Sequence, residues 1–159
     1  MILHFNLKRL IISLLIPLLA GGLSALITGS DMMVYKTINQ PPLAPPSWLF
    51  PVAWTILYIL MGISLYLVWN SDANYDDKRT AYILFGVQLF LNFIWSPVFF
   101  IGRQYLIAFA ILVALWVFVL LMIISFFKIS KTAGLLQIPY LLWVTFAGYL
   151  NLAIYLLNK

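Results

Sequence analysis

NQPPLAPPSWLFPVAWTILYILMGISLYLVW, residues 39–69, is the stretch whose reading decides the fold. It opens with two proline pairs, Pro41-Pro42 and Pro45-Pro46. Each ring fixes φ and removes a backbone donor, so no helix starts before about Pro46 and the approach is a stiff, extended strap. Ser47 has the chemistry of an N-cap, and Pro51 falls close enough to the start to be tolerated. From 48 to 69 no charge interrupts the apolar run, which is long enough to cross a hydrocarbon core of roughly 30 Å as a helix. A rigid strap thus meets a membrane helix carrying Trp48, Trp54, Tyr58 and Trp69.

The whole chain supports that reading. Of its 159 residues, 65% are hydrophobic and 8% charged, and the mean hydropathy is +1.06. So few charges cannot cover the surface of a soluble domain. There is no Glu, and Asp31, Asp72, Asp76 and Asp77 all fall between apolar runs. The chain reads as one domain: an all-α, multi-pass integral membrane protein. The net charge of +5 does not point to nucleic acid, because Lys and Arg sit at ends and in loops, where they orient the protein and touch lipid headgroups. The absence of cysteine excludes disulfides and thiolate metal sites.

Taken in order, the spans predicted are 10–28, 48–69, 80–101, 105–127 and 132–157, a five-transmembrane-helix bundle. The first follows Lys8-Arg9, and Ala20-Gly21-Gly22 would serve a signal peptidase; the length of the run favours a retained helix. Residues 29–47 form the longest connection, with a short surface helix expected near 31–38 before the strap. Long ordered loops are often lids, and a plain connector is the alternative. The fourth span lacks polar side chains until Ser125 and is expected to face mostly lipid. Six basic residues (Lys8, Arg9, Lys78, Arg79, Lys128, Lys131) stand on one side and three (Lys36, Arg103, Lys159) on the other, which favours the N-terminus inside.

On the third span Gln88, Asn92, Trp95 and Phe99 share a face, as do Pro139, Trp143, Ala147 and Asn151 on the fifth. Amides in hydrocarbon are costly, so these faces point into the bundle. Gln88 and Asn92 either bind a ligand or hold helices together. Pro139 is expected to leave the Leu135 carbonyl without its helical donor. Trp95 and Trp143 lie too deep for the interfacial belt that accounts for Trp48 and Trp69. Inward aromatic faces with a few neutral polar groups describe a pocket for a large, flat, mostly apolar ligand. With no ionisable residue inside a span, an ion path has no support. Hydrolytic catalysis has none either, since the only histidine is His4 and no carboxylate pair falls inside a span; no metal site is expected.

Three stretches carry a family resemblance: PPLAPPSWLFPVAWTILYILMGISLYLVW, QLFLNFIWSPVFF at 88–100 and PYLLWVTFAGYLN at 139–151. In register over about 39–157, they resemble the signatures of the TspO/MBR family, the tryptophan-rich sensory protein, translocator protein or peripheral benzodiazepine receptor family. The resemblance implies a five-helix bundle, often a homodimer, that binds porphyrins and other tetrapyrroles under its first loop. It implies ligand-binding positions at Trp54, Asn92, Trp143 and Ala147, with Pro45 and Pro46 in the lid. Beside these, the residue faces add Tyr58, Gln88 and Trp95, and Lys36 and Arg103 stand where they could pair with ligand carboxylates.

The expectation is a membrane receptor or sensor for porphyrin or haem as ligand, with no cofactor required, in a bacterial cell membrane among its lipids. Rival readings are a light-dependent porphyrin-degrading enzyme, with a photo-oxidation role for Trp54 and Trp143 and the pigment carrying the reaction, and a porphyrin or lipid carrier. Two details depart or add: many members carry an acid in the fourth helix where this chain has Ile111, and Leu152, Tyr155 and Lys159 satisfy a cholesterol-contact pattern that is weak in general.

Overall fold

The computed structural model describes residues 5–159; His4 lies outside them. Among the described residues, five apolar helical stretches are long enough to cross a membrane. Helix α1 is Leu7–Thr28, followed by a 3-10 helix, Gly29–Lys36; α2 is Leu49–Trp69, α3 Tyr75–Phe100 and α4 Tyr105–Ile129. The last stretch is divided into α5, Lys131–Leu135, and α6, Ile138–Leu157. Helix α1 packs on α2 and α3, α3 on α4, α4 on α5 and α6, and α5 on α2. Ring contacts of Trp54 with Tyr140 and Trp143 close the bundle between α2 and α6.

Each departure from the expected spans has a local cause. Helix α2 starts at Leu49 with Trp48 in the cap position and no side-chain cap, so Ser47 does not cap it. Helix α3 starts at Tyr75, five residues before the expected 80, because the Asn74 side chain accepts from the Asp77 amide. Asp76 and Asp77 then occupy the first turn, where carboxylates favour the helix dipole. Pro139 does not kink a continuous fifth span. The helix breaks at Leu136-Gln137, and Pro139 enters the first turn of α6, where its missing N–H has no helical acceptor to leave empty. Gln137 secures the break by donating to the Leu60 carbonyl (3.1 Å) and to Ser64 Oγ (2.7 Å), while Ser64 donates to the Ala133 carbonyl.

Helix α4, expected to face mostly lipid, also carries a buried face. Ala108, Leu112, Leu115, Val119, Met122 and Phe126 are all buried, and their alternating spacing of four and three is a coiled-coil seam. This seam packs against α3 and α6.

Pro97 lies inside α3 and cannot donate to the carbonyl of Phe93. Ser24 Oγ of α1 donates to that carbonyl at 2.9 Å, so the proline's cost becomes a contact between helices. The strap is anchored at several points. Tyr35 donates to the Pro45 carbonyl (3.0 Å), Tyr149 to the Pro42 carbonyl (2.8 Å), and Asn39 and Asn158 form a reciprocal pair at 2.9 Å each way. Its tip is a turn closed by Ala44 N–H on the Pro41 carbonyl, with Leu43 at φ 67° and 82% exposed. A left-handed Leu costs about 1–2 kcal/mol, which those anchors offset.

Candidate functional site

At the N-terminal end of α2, α1, α2 and α3 enclose a partly open cavity of about 250 Å³. Gly21, Ser24 and Ala25 come from α1, Phe50, Pro51, Trp54 and Tyr58 from α2, and Asn92, Trp95, Ser96 and Phe100 from α3; Met32 of the 3-10 helix completes the wall. The aromatic groups arrive by helical periodicity. Phe50, Trp54 and Tyr58 are four apart on α2, and Asn92, Ser96 and Phe100 are four apart on α3. Gly21 allows the close approach of Tyr58, since a Cβ there would sit 2.1 Å from the ring.

Of the expected site residues, Trp54, Tyr58, Asn92 and Trp95 meet in this wall. The others stand elsewhere. Gln88 is fully buried and accepts from the Tyr140 hydroxyl at 2.7 Å. Trp143 packs edge-on against Phe50 and Trp54 and is not part of the cavity wall. Ala147 lines a separate, smaller cavity of about 30 Å³ with Tyr35, Phe50 and Phe99. Pro45 is buried in the strap and Pro46 is exposed. Lys36 and Arg103 are exposed and outside the cavity wall.

The polar groups are largely committed. Tyr58 donates to Asn92 Oδ1 (2.8 Å), Asn92 Nδ2 donates to the Tyr140 hydroxyl (2.9 Å), and Tyr140 donates to Gln88. This chain joins α2, α3 and α6, so Gln88 and Asn92 hold helices together. The Trp95 indole donates to Asn151 Oδ1 at 3.0 Å, and Asn151 Nδ2 donates to the Tyr105 carbonyl. Among the described residues of the wall, the polar side chains that form no hydrogen bond are those of Trp54 and Ser96. Ser96 was missed in the sequence although it falls four residues after Asn92 on the same face. Tyr140, the centre of the buried network, carried no sequence signal that set it apart from the other tyrosines.

A five-helix membrane bundle with an aromatic cavity between its first three long helices and a proline strap ahead of α2 is the class that fold and site define. The TspO/MBR family pattern matches residues 13–157. The chain belongs to the TspO/MBR family. It is 40% identical over 154 residues to the tryptophan-rich protein TspO of Archaeoglobus fulgidus, covering 96% of this chain and 99% of that one. Against the protein of the same name from Chlorobaculum tepidum it is 43% identical over 124 residues, 78% of each chain. Against the translocator protein of Bos taurus it is 33% identical over 139 residues, 86% of this chain and 82% of that one.

Proposed function

We propose that this integral membrane protein is a sensor or receptor that binds a porphyrin-type tetrapyrrole, porphyrin or haem, in the cavity between α1, α2 and α3. The observation that carries the reading is a wall of Phe50, Trp54, Tyr58, Trp95 and Phe100 with few free polar groups, which suits stacking on a flat apolar ring. At about 250 Å³ the cavity is somewhat smaller than the ~300–1,000 Å³ usual for ligand pockets. A macrocycle therefore inserts one edge and leaves the remainder in the open side. Trp54 stacks on the ring and Ser96 supplies a hydrogen bond, in place of the committed Asn92. Lys36, on the same 3-10 helix as Met32, and Arg103, in the turn after α3, pair with ligand carboxylates. The strap acts as the lid. Assembly as a homodimer follows the family resemblance.

The test is a dark titration with protoporphyrin, followed by quenching of Trp fluorescence. Gly21→Ala should weaken binding about tenfold, because the added methyl drives Tyr58 into the cavity. Gly22→Ala, with open space around it, should leave the affinity unchanged. Trp143→Phe should bind as the parent does. Absence of saturable quenching in the parent removes the reading. Equal affinity for Gly21→Ala moves the site elsewhere.

A second reading, light-dependent porphyrin degradation, is favoured by the two indoles in the wall, Trp54 and Trp95. It assigns the photo-oxidation role to Trp54 rather than to the shielded Trp143. Loss of pigment under illumination, slowed in Trp54→Phe, distinguishes it from stable binding.

The six-to-three distribution of Lys and Arg supports an N-terminus inside a bacterial cell membrane, with the strap outside. A cysteine at Ser30 should then react with an impermeant maleimide on intact cells; labelling only after lysis reverses the orientation.

A further inference from the structure

At the end of the bundle away from the strap, a second recess of about 440 Å³ opens between α1, α2 and α3, lined by Ile16, Leu65, Trp69, Tyr82 and Phe85. Leu65 and Phe85 form its buried floor, whereas Ile16 and Tyr82 are 42% and 38% exposed along its edge. The recess is apolar and widely open, as a channel for a hydrocarbon chain must be. Its head is charged. Arg9 lies two helical turns from Ile16 on the same face of α1. The Arg9 guanidinium sits over the Trp69 ring at 5.6 Å and donates to Asn70 Oδ1 at 3.3 Å.

Those two contacts hold the guanidinium in place and use one of its five N–H donors. Among the described residues Arg9 makes no ion pair. Arg79, exposed, stands one turn before Tyr82 on α3, and Lys78 is committed to the Trp69 and Ser71 carbonyls. The acidic groups nearby do not close the site. Asp77 is bonded to Asn74, and Asp72 and Asp76 are exposed.

We propose that this recess is a site for one anionic phospholipid of the leaflet on the N-terminal side, distinct from the cavity at the N-terminal end of α2. An acyl chain lies over Leu65 and Phe85, and the phosphate meets Arg9. Charge complementarity selects this occupant. A chain-sized apolar channel ending in a fixed, unpaired guanidinium at the membrane edge fits a phosphodiester bearing a net negative charge better than a zwitterionic lipid.

The test uses vesicles of phosphatidylcholine containing a minor fraction of chain-brominated phosphatidylglycerol or chain-brominated phosphatidylcholine. Bromine quenches Trp69 only when the labelled chain occupies the recess, and Trp69→Phe identifies that component of the fluorescence. The brominated phosphatidylglycerol should be preferred about fivefold, the attraction of one basic residue for an anionic headgroup. Arg9→Gln should abolish the preference and Arg9→Lys should retain part of it. Ile16→Phe, which narrows the channel with the charge intact, should reduce quenching by both lipids. Thermal melting of each variant separates loss of the site from loss of the fold. Equal quenching by the two lipids in the parent overturns the proposal, as does a preference that survives Arg9→Gln in a folded protein.

Discussion

Tyr140→Phe is expected to lower stability by about 2 kcal/mol although it removes a single oxygen. The hydroxyl is fully buried, accepts from Asn92 and donates to Gln88. Without it, a buried amide donor and a buried amide acceptor both lose their partner. An orphaned buried group costs about 1–3 kcal/mol in soluble proteins. Bonds between membrane helices average closer to ~0.6 kcal/mol, because helices not yet docked find other partners, so the sum falls toward the low end. Phenylalanine fills the same space, so no cavity term enters. The measurement is the midpoint of unfolding in detergent micelles, followed by Trp fluorescence.

Removing the whole network should do less harm than removing its centre. With Tyr58→Phe, Gln88→Leu, Asn92→Leu and Tyr140→Phe combined, no member is left unpaired, and apolar groups of similar size replace them. Stability should return to within about 1 kcal/mol of the parent. If Tyr140→Phe melts with the parent, the network carries no stability. If the combined variant is instead the sum of its parts, the orphaned-group account is wrong.

The architecture was legible in the sequence because the charges sit only where the chain enters or leaves the bilayer and the two proline pairs mark one such place. Pro41, Pro42, Pro45 and Pro46 mark the strap, and the turn around Gly102 and Arg103 marks the step from α3 to α4. The inward face of α4 was not legible. In a soluble protein polar residues mark the outer face, but lipid is as apolar as the core, so the seam from Ala108 to Phe126 has no contrast against Val113 or Val117. The same face of a helix also says nothing about what lies opposite. Trp143 and Ala147 share a face of α6, yet Trp143 backs onto Phe50 and Trp54 while Ala147 opens on a separate cavity. Asn92 was read as a binding group or as helix glue. Its partners show that it joins helices, while it also lines the cavity, and those partners come from α2 and α6, far along the chain.

Gly62→Ala is expected to destabilise by about 2–3 kcal/mol, the range of overpacking, even though alanine is the better helix former. Helices α1 and α2 meet closely at Gly62: a Cβ there would stand 2.7 Å from Leu14 Cα and 2.9 Å from the Ser13 carbonyl oxygen. Both obstacles are backbone atoms, so no side chain can rotate to make room, and α1 must move away as a body. The site is held from a second direction by Pro17, buried within α1, which cannot donate to the Ser13 carbonyl. That carbonyl lacks its helical donor, and α2 packs close beside it at Gly62. Gly22, Gly86 and Gly148 provide the contrast, since a Cβ at any of them meets nothing within 4 Å. Alanine at those three positions should raise stability by up to about 1 kcal/mol each through helix propensity alone. The prediction is therefore one of opposite signs for one substitution at four helical glycines. Unfolding midpoints of the four single variants under one condition decide it. A Gly62→Ala protein as stable as the other three would mean that α1 is not packed against α2 at this depth.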